Sequence, residues 1–199
     1  MKKQQIILRD IVNCTMPEKL SVRELRNQES IRQSMYTDHL IGLDEHLAWI
    51  ERLEKDSKQK VFVIFVEDVA SGVVSVVALD QHHKKCDWAF YLDTKVRGGL
   101  GAAIEFFLID YVFETLAFEK LNCEVIETNP SVVKLHLKFG FAEEGFRRSN
   151  ILKNDKRIGV HLLGLTKDDW ISKREEINNS YKTIFEKFSI KINSSPMQL

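Results

Sequence analysis

Apolar positions along this chain switch between a period near two and a period near 3.6, and each switch marks an element. A strand is predicted over 6–9. Pro17 suits the first turn of a helix running to about Asn27, with Thr15 or Met16 near its cap, and 30–35 continues as a short helical piece. Asp44 opens the next helix, with Leu43, Leu47, Ile50 and Leu53 along one face. The period then shortens. Residues 61–66 are β-branched and aromatic almost throughout, which predicts a buried central strand. A turn over 67–72, a strand over 73–79, a polar turn over 81–85 and a strand over 88–92 complete an antiparallel meander. A glycine loop over 96–101 leads into a helix over 102–114 that is apolar on all sides, so both of its sides should be covered. The strand at 121–126 follows a strand and a crossover helix, so it should run parallel to the strand at 88–92. Pro130 starts a helix that Gly140 ends, and 146–149 with 157–165 form a closing hairpin about Asn154 and Asp155. Thr166 caps a last helix along which Trp170, Ile177, Tyr181, Ile184 and Phe188 recur, and the polar tail 193–199 is expected to fray.

The 199 residues suit one domain with an appendage, here 1–166 and a helical extension over 167–199. Lysine plus arginine balances aspartate plus glutamate at 29 each, so nothing draws the chain generally to nucleic acid or to an anionic membrane. Any anion site must be local. No apolar run approaches the roughly 20 residues of a membrane span, and no signal-like apolar stretch follows the first residues. Cys14, Cys86 and Cys123 are scattered and odd in number, which suits reduced cytoplasmic thiols. No C-x-x-C or H-x-x-x-H spacing points to a metal. His82 and His83 are adjacent, and neighbouring strand residues face opposite ways, so a polar turn is the better reading of that pair. The last helix carries apolar positions that must pack on the domain or on a second copy in a homodimer, and the sequence leaves both open.

The glycine loop reads Val96-Arg97-Gly98-Gly99-Leu100-Gly101-Ala102. Glycines let backbone N–H groups converge, and a helix starting behind them adds the positive end of its dipole, which together form a nest for phosphate oxygens. A dinucleotide fingerprint needs a third glycine, and a P-loop needs Gly-Lys-Ser/Thr; both are missing. The remaining pattern resembles the acetyl-CoA pyrophosphate loop of the GNAT acetyltransferases, with Gly99 and Gly101 in the two glycine places. Val96 departs from the usual Gln or Arg, and Arg97 beside it can supply the charge. A second segment, Asn129-Pro130-Ser131 followed by Lys138-Phe139-Gly140-Phe141, resembles the family's N-x-x-A/S…Y-x-K-x-G-F signature. The resemblance implies an α/β (α+β) fold: a mixed central sheet, helices on both faces, a parallel strand pair that splays apart, and here an extra C-terminal helix. Within the family, Leu25-Arg26-Asn27, Met35-Tyr36 and Glu45-His46-Leu47 with Trp49-Ile50 resemble the N-acetyltransferases of pseudaminic acid biosynthesis, which act on the 4-amino group of a UDP-linked amino-dideoxy sugar. Ribosomal-protein N-terminal acetyltransferases share the early Arg-Asn helix.

The resemblance also implies site residues. Acetyl-CoA would be held by Arg97, Gly98, Gly99, Leu100, Gly101 and Ala102, by the strand edge at Phe90, Tyr91 and Leu92, and by Asn129. His136 stands where the family often places a tyrosine that protonates the CoA sulfur, and imidazole can donate a proton near neutral pH. Glu127 and Ser75 match a glutamate acting as base through water and a serine orienting water or substrate. Arg26, His46 and His83 would meet the nucleotide sugar; a guanidinium suits a diphosphate bidentately. Each residue also has a plain structural reading: core for Phe90 and Tyr91, a turn for Asn129, helix surface for His136, a strand-end carboxylate for Glu127. Two further functions stay open: the same chemistry on a protein N-terminus or a polyamine, and an acyl-CoA-binding regulatory module without turnover.

Overall fold

The computed structural model describes residues 2–96 and 98–193. Its elements are β1 (Gln4–Asp10), α1 (Met16–Asn27), α2 (Glu29–Arg32), α3 (Leu43–Lys55), β2 (Lys60–Val66), β3 (Val69–Asp80), β4 (Lys85–Leu92), α4 (Leu100–Asp110), β5 (Lys120–Ile126), α5 (Pro130–Lys138), β6 (Ala142–Lys153), β7 (Lys156–Thr166), α6 (Lys167–Ser180), α7 (Lys182–Phe185) and β8 (Phe188–Asn193). Among the described residues eight strands make one mixed sheet in the order β6-β7-β5-β4-β3-β2-β1-β8. Neighbours run antiparallel except β4 with β5 and β1 with β8.

The run at 61–66 is apolar at every position because both faces of β2 are covered. Phe62 and Ile64 enter a large core with α4, β5 and α6. Val61, Val63 and Phe65 point the other way, onto Val22, Ile50 and Leu53 of α1 and α3. Thr15 and Glu18 start α1 with a reciprocal capping box, which satisfies two donors that the first turn leaves over.

The all-apolar α4 is covered on both sides, as its sequence requires. Ile104, Leu108 and Ile109 lie in the core, and Phe106 meets Trp170 and Phe185 of the C-terminal segment at centroid distances of 5.2 and 4.7 Å. Trp170 donates to Asp110 at 2.8 Å, and Arg174 grips the same carboxylate through two 2.7 Å bonds. The extension therefore packs on its own domain.

Several boundaries differ from the sequence reading. The helix predicted over 102–114 opens into a π turn at Tyr111–Thr115. The turn expected over 67–72 shrinks to Glu67 and Asp68, both at positive φ, which is the tight hairpin geometry. Gly72 belongs to β3, where a β-carbon would come within 2.4 Å of the Tyr91 carbonyl oxygen. β6 continues past the expected stop at Ser149 through a bulge between Arg147 and Ile151. The helix expected to reach Phe188 ends at Phe185, and Phe188 instead begins β8, which pairs parallel with β1.

Candidate active site

Parallel strands β4 and β5 pair only at Lys85–Lys120, Cys86–Leu121 and Asp87–Asn122. From Trp88 onward they part. β4 keeps its pairing with β3 as far as Leu92, and β5 keeps its pairing with β7 as far as Ile126, so each strand retains one partner and loses the other. The edge of β4 over 88–92 thus turns unpaired backbone groups into a gap. An extended ligand can add to such an edge as a further strand would.

The gap opens into a cleft of about 680 Å³ lined by Trp88, Phe90, Tyr91 and Leu92 of β4, by Cys123, Glu124 and Ile126 of β5, and by Asn129, Val132 and His136 at and along α5. Its roof is the segment after α2. Lys153, at the end of β6, fastens that roof by donating to the carbonyls of Arg32, Gln33 and Met35 at 2.9, 2.8 and 2.8 Å. Tyr36 ties the roof to the wall through a hydrogen bond to Glu124, whose other oxygen pairs with Arg147 at 2.6 Å. Burial and the Glu124 carboxylate push the Tyr36 hydroxyl well above its ordinary range, so it stays a donor.

Gly98 and Gly99 at the mouth of the loop adopt φ of +82° and +88°, and Gly99 is the N-cap of α4. Leu100 and Ala102 turn their side chains into the core, which leaves backbone at the helix start. Gly101 is helical, 3.8 Å from Leu92 and Phe90 where a β-carbon would sit, so the loop is packed against the parted end of β4. Arg97 lies outside the described residues. A left-handed turn at a helix N-terminus beside a free strand edge fits a ligand with a diphosphate and an extended arm.

His136 is 3% exposed and is held by Glu105, Nδ1 to Oε1 at 2.7 Å. Its ring lies edge-on to Trp88 and against Phe141, each at 5.3 Å between centroids. Glu105 was not singled out from the sequence. A carboxylate in the middle of a helix with no polar face was the available signal, since apolar residues flank it on every side. It is fully buried; burial raises its carboxyl above the ordinary range and the His136 ring pulls it back.

A second cavity of about 340 Å³ lies on the α1/α3 side of the sheet, lined by Arg26, His46, Trp49, Arg52, Ser75 and Tyr91 among others. Arg26 and Tyr91 line both cavities. Arg26 donates from Nη2 to the Thr37 carbonyl at 2.9 Å, while Nη1 is buried with no hydrogen-bond partner among the described residues. Burial also lowers the Arg26 pKa, and the Glu45 carboxylate opposes that shift in part. His46 Nε2 donates to the Lys19 carbonyl at 2.8 Å, joining α3 to α1, and burial lowers its pKa. Ser75 donates to the Ala89 carbonyl at 3.3 Å.

The cleft and the adjoining cavity thus gather Phe90, Tyr91, Leu92, Asn129, His136, Arg26, His46 and Ser75. Glu127 and His83 line neither. Glu127 is exposed beyond the end of β5, accepting from the Gly159 N–H at 2.7 Å, and Glu124 is the β5 carboxylate that reaches the cleft. His83 is exposed in the β3–β4 turn, its N–H bonded to Asp80.

Residues 20–162 match the acetyltransferase (GNAT) domain. Acetyltransferase PseH of Campylobacter jejuni is 31% identical over 111 residues, which make up 56% of this chain and 68% of that protein. Spermidine N(1)-acetyltransferase of Escherichia coli is 22% identical over 125 residues, 62% of this chain and 67% of that protein. Among solved structures, the spermidine N-acetyltransferase of Vibrio cholerae in complex with CoA and spermine shares the fold at a TM-score of 0.77, covering 84% of this chain and 98% of that one at 20% identity. The matched segment runs from within α1 to within β7 and contains the parted strands and the glycine loop, and the chain belongs to the GNAT acetyltransferase family, enzymes whose acetyl donor is acetyl-CoA.

Proposed function

We propose that this enzyme acetylates the 4-amino group of a UDP-linked amino-dideoxy sugar, the step that pseudaminic acid biosynthesis needs before the sugar is used in a surface glycan. The observation that carries this reading is Arg26. A buried guanidinium nitrogen without a partner, at the junction of two cavities, calls for an anion, because leaving it unpaired is costly. Arg52 adds a second cation to the smaller cavity, and Trp49 and Tyr91 supply ring surface there. A UDP group brings two phosphates and a flat base. A polyamine brings only cations, which would find Glu45 in the same lining but leave the Arg26 guanidinium nitrogen without an anion. The 31% identity to PseH supports the same choice.

Acetyl-CoA supplies the thioester: the acceptor nitrogen bonds to its carbonyl carbon as the carbon–sulfur bond breaks. The N–H groups of Gly98 to Ala102 hold the diphosphate, with Arg97 adding charge. The free edge of β4 at Phe90, Tyr91 and Leu92 pairs with the pantetheine arm and polarises the carbonyl, and Asn129 bonds the arm from across the gap. His136 delivers a proton to the departing sulfur. The proton lost by nitrogen leaves through water toward the carboxylates at the end of β5, Glu124 and then Glu127, with Ser75 orienting the acceptor. The site works in the cytoplasm, where acetyl-CoA and nucleotide sugars meet.

Spermidine is the second candidate acceptor, because the likeness to spermidine acetyltransferases favours it. The test incubates the protein with acetyl-CoA and, separately, the UDP-4-amino sugar, spermidine and an N-terminal peptide, and follows free thiol. Turnover with the UDP sugar at least about tenfold above the others in kcat/KM is expected. Preferred use of spermidine would overturn the acceptor. Tight CoA binding without thiol release from any amine would point to a regulatory module.

A further inference from the structure

We propose that Glu105 is a positioning residue of the reaction: it fixes the ring of His136 and supports its protonated form through Nδ1–H, so that an Nε2 hydrogen faces the cleft and leaves with the sulfur. The inference rests on the proton-donor role given to His136 above. Three observations point to Glu105. Its Oε1 lies 2.7 Å from His136 Nδ1. The carboxyl group is fully buried, and its Oε2 has no protein partner, so the His136 ring is the sole group that satisfies it among the described residues. And the ring it holds helps line the gap between β4 and β5.

A buried carboxylate with a single partner is unstable unless that partner carries or shares a proton. A neutral ring meets that need with its Nδ1–H alone; the donor in this proposal is the imidazolium, which carries a second proton on Nε2. That proton is the one to be given away. In the donating step the Nε2–H bond breaks as the S–H bond forms, the electron pair of the broken carbon–sulfur bond staying on sulfur until the proton arrives. His136 is left neutral with its Nδ1–H directed at Glu105. Water returns the proton to Nε2 between turnovers. The remaining neighbours leave the pair undisturbed. Trp88 from β4 and Phe141 beyond α5 are uncharged, and burial pushes the Cys123 thiol on β5 so far up that it stays protonated. Glu105 is thus the charged group bonded to the ring among the described residues. It also explains how histidine can stand in the place of a tyrosine: a phenol needs no carboxylate to hold its proton, whereas an imidazole does.

The deciding experiment combines kinetics with nitrogen NMR on the full chain labelled with 15N-histidine and bound to CoA. The His136 signals are those missing from His136→Phe. In the wild-type protein Nδ1 should stay protonated from about pH 6 to about pH 8. In Glu105→Gln, which keeps the shape and loses the charge, kcat with acetyl-CoA and the UDP-4-amino sugar should fall roughly tenfold or more, with KM for acetyl-CoA unchanged and the alkaline limb of the rate profile moved to lower pH. Glu105→Asp should recover part of the loss. A bare Nδ1 across that range, or a Glu105→Gln enzyme with unaltered kcat and pH profile, overturns the role of Glu105. A His136→Phe enzyme with undiminished kcat overturns the donor role itself. The NMR readout needs no acceptor, so it decides on Glu105 even if the UDP sugar is not turned over.

Discussion

Two glycines of the same loop should answer substitution in opposite ways. Gly99 sits at φ +88°, and a β-carbon there would lie 2.6 Å from Cγ2 of Ile184. Gly99→Ala should therefore cost about 1–3 kcal/mol and weaken CoA binding, measured by urea unfolding and by calorimetric titration with CoA. Gly101 is helical, and its nearest neighbours are at an ordinary 3.8 Å. Gly101→Ala should leave stability unchanged or raise it by about 0.5–1 kcal/mol, while still obstructing a phosphate that approaches the backbone. Equal stability losses in both variants would refute this division. Arg26 belongs to the same scale. Replacing it by Lys keeps charge but not the fork that offers Nη1 separately from the Nη2 bond to Thr37. KM for the UDP sugar should rise about tenfold or more in Arg26→Lys with KM for acetyl-CoA unchanged. The left-handed turn ahead of α4 was legible in the sequence because glycine adopts that backbone at little cost, and Arg26 does line the cavities. Glu105 was not legible, because an all-apolar helix hints that its mid-helix carboxylate is buried but does not say which side chain meets it.

At the level of elements, α3 is held to α1 through His46, and this contact gives the fold a pH dependence. The imidazole is 3% exposed, and burial lowers its pKa below the ordinary 6.5. Its Nε2–H already satisfies the Lys19 carbonyl, so the neutral ring is the bonded form. The unfolded chain takes up a proton at its ordinary pKa and the folded chain does so later. Stability is thus whole above that pKa and falls as pH drops toward the depressed one. Urea midpoints should decline between about pH 7.5 and pH 5.5 in the wild-type protein and stay flatter in His46→Gln. Identical slopes would show that another group governs this range; the lowered carboxylates, Glu18 among them, act only further down, near their ordinary 4.5. Elements were readable where burial imposes one period, as in the continuous apolar run of β2 or the amphipathic face of α3. They blurred where two periods coincide. Phe188 follows Ile184 by four residues, so a helical stripe runs without a seam into a strand that begins Phe188-Ser189-Ile190. Bulges hide in the same way: the break in pairing near Ser149 looked like the end of a strand because a residue at φ +54° interrupts its alternation.

Across the whole molecule, the segment after Thr166 is tied to the glycine loop rather than appended beside it. α6 is clamped to the far end of α4 through Trp170 and Arg174 on Asp110. α7 brings Ile184 against Gly99, and the first residue of β8, Phe188, faces Gly98 with 3.8 Å between its ring and the position of a β-carbon. β8 then adds to β1 and forms the sheet edge farthest from the gap on that side. Helix α4 is therefore held at its N-terminus, along one face and at its C-terminus by residues outside the matched segment 20–162. A turn with two left-handed residues is not a low-energy state by itself, and something must hold it before a diphosphate arrives; Ile184 and Phe188 are placed to do so. Ligand binding and extension packing should then be linked, each strengthening the other. Saturating CoA should slow amide exchange in α7 and β8, although neither lines the cleft. Ile184→Ala should weaken CoA binding several-fold while the urea midpoint falls by the amount expected of a partly buried methyl cluster, about 1–3 kcal/mol. If exchange in β8 ignores CoA and Ile184→Ala binds it as tightly as the wild-type chain, the extension serves stability alone, and the loop keeps its shape through its own glycines and the packing of Leu100.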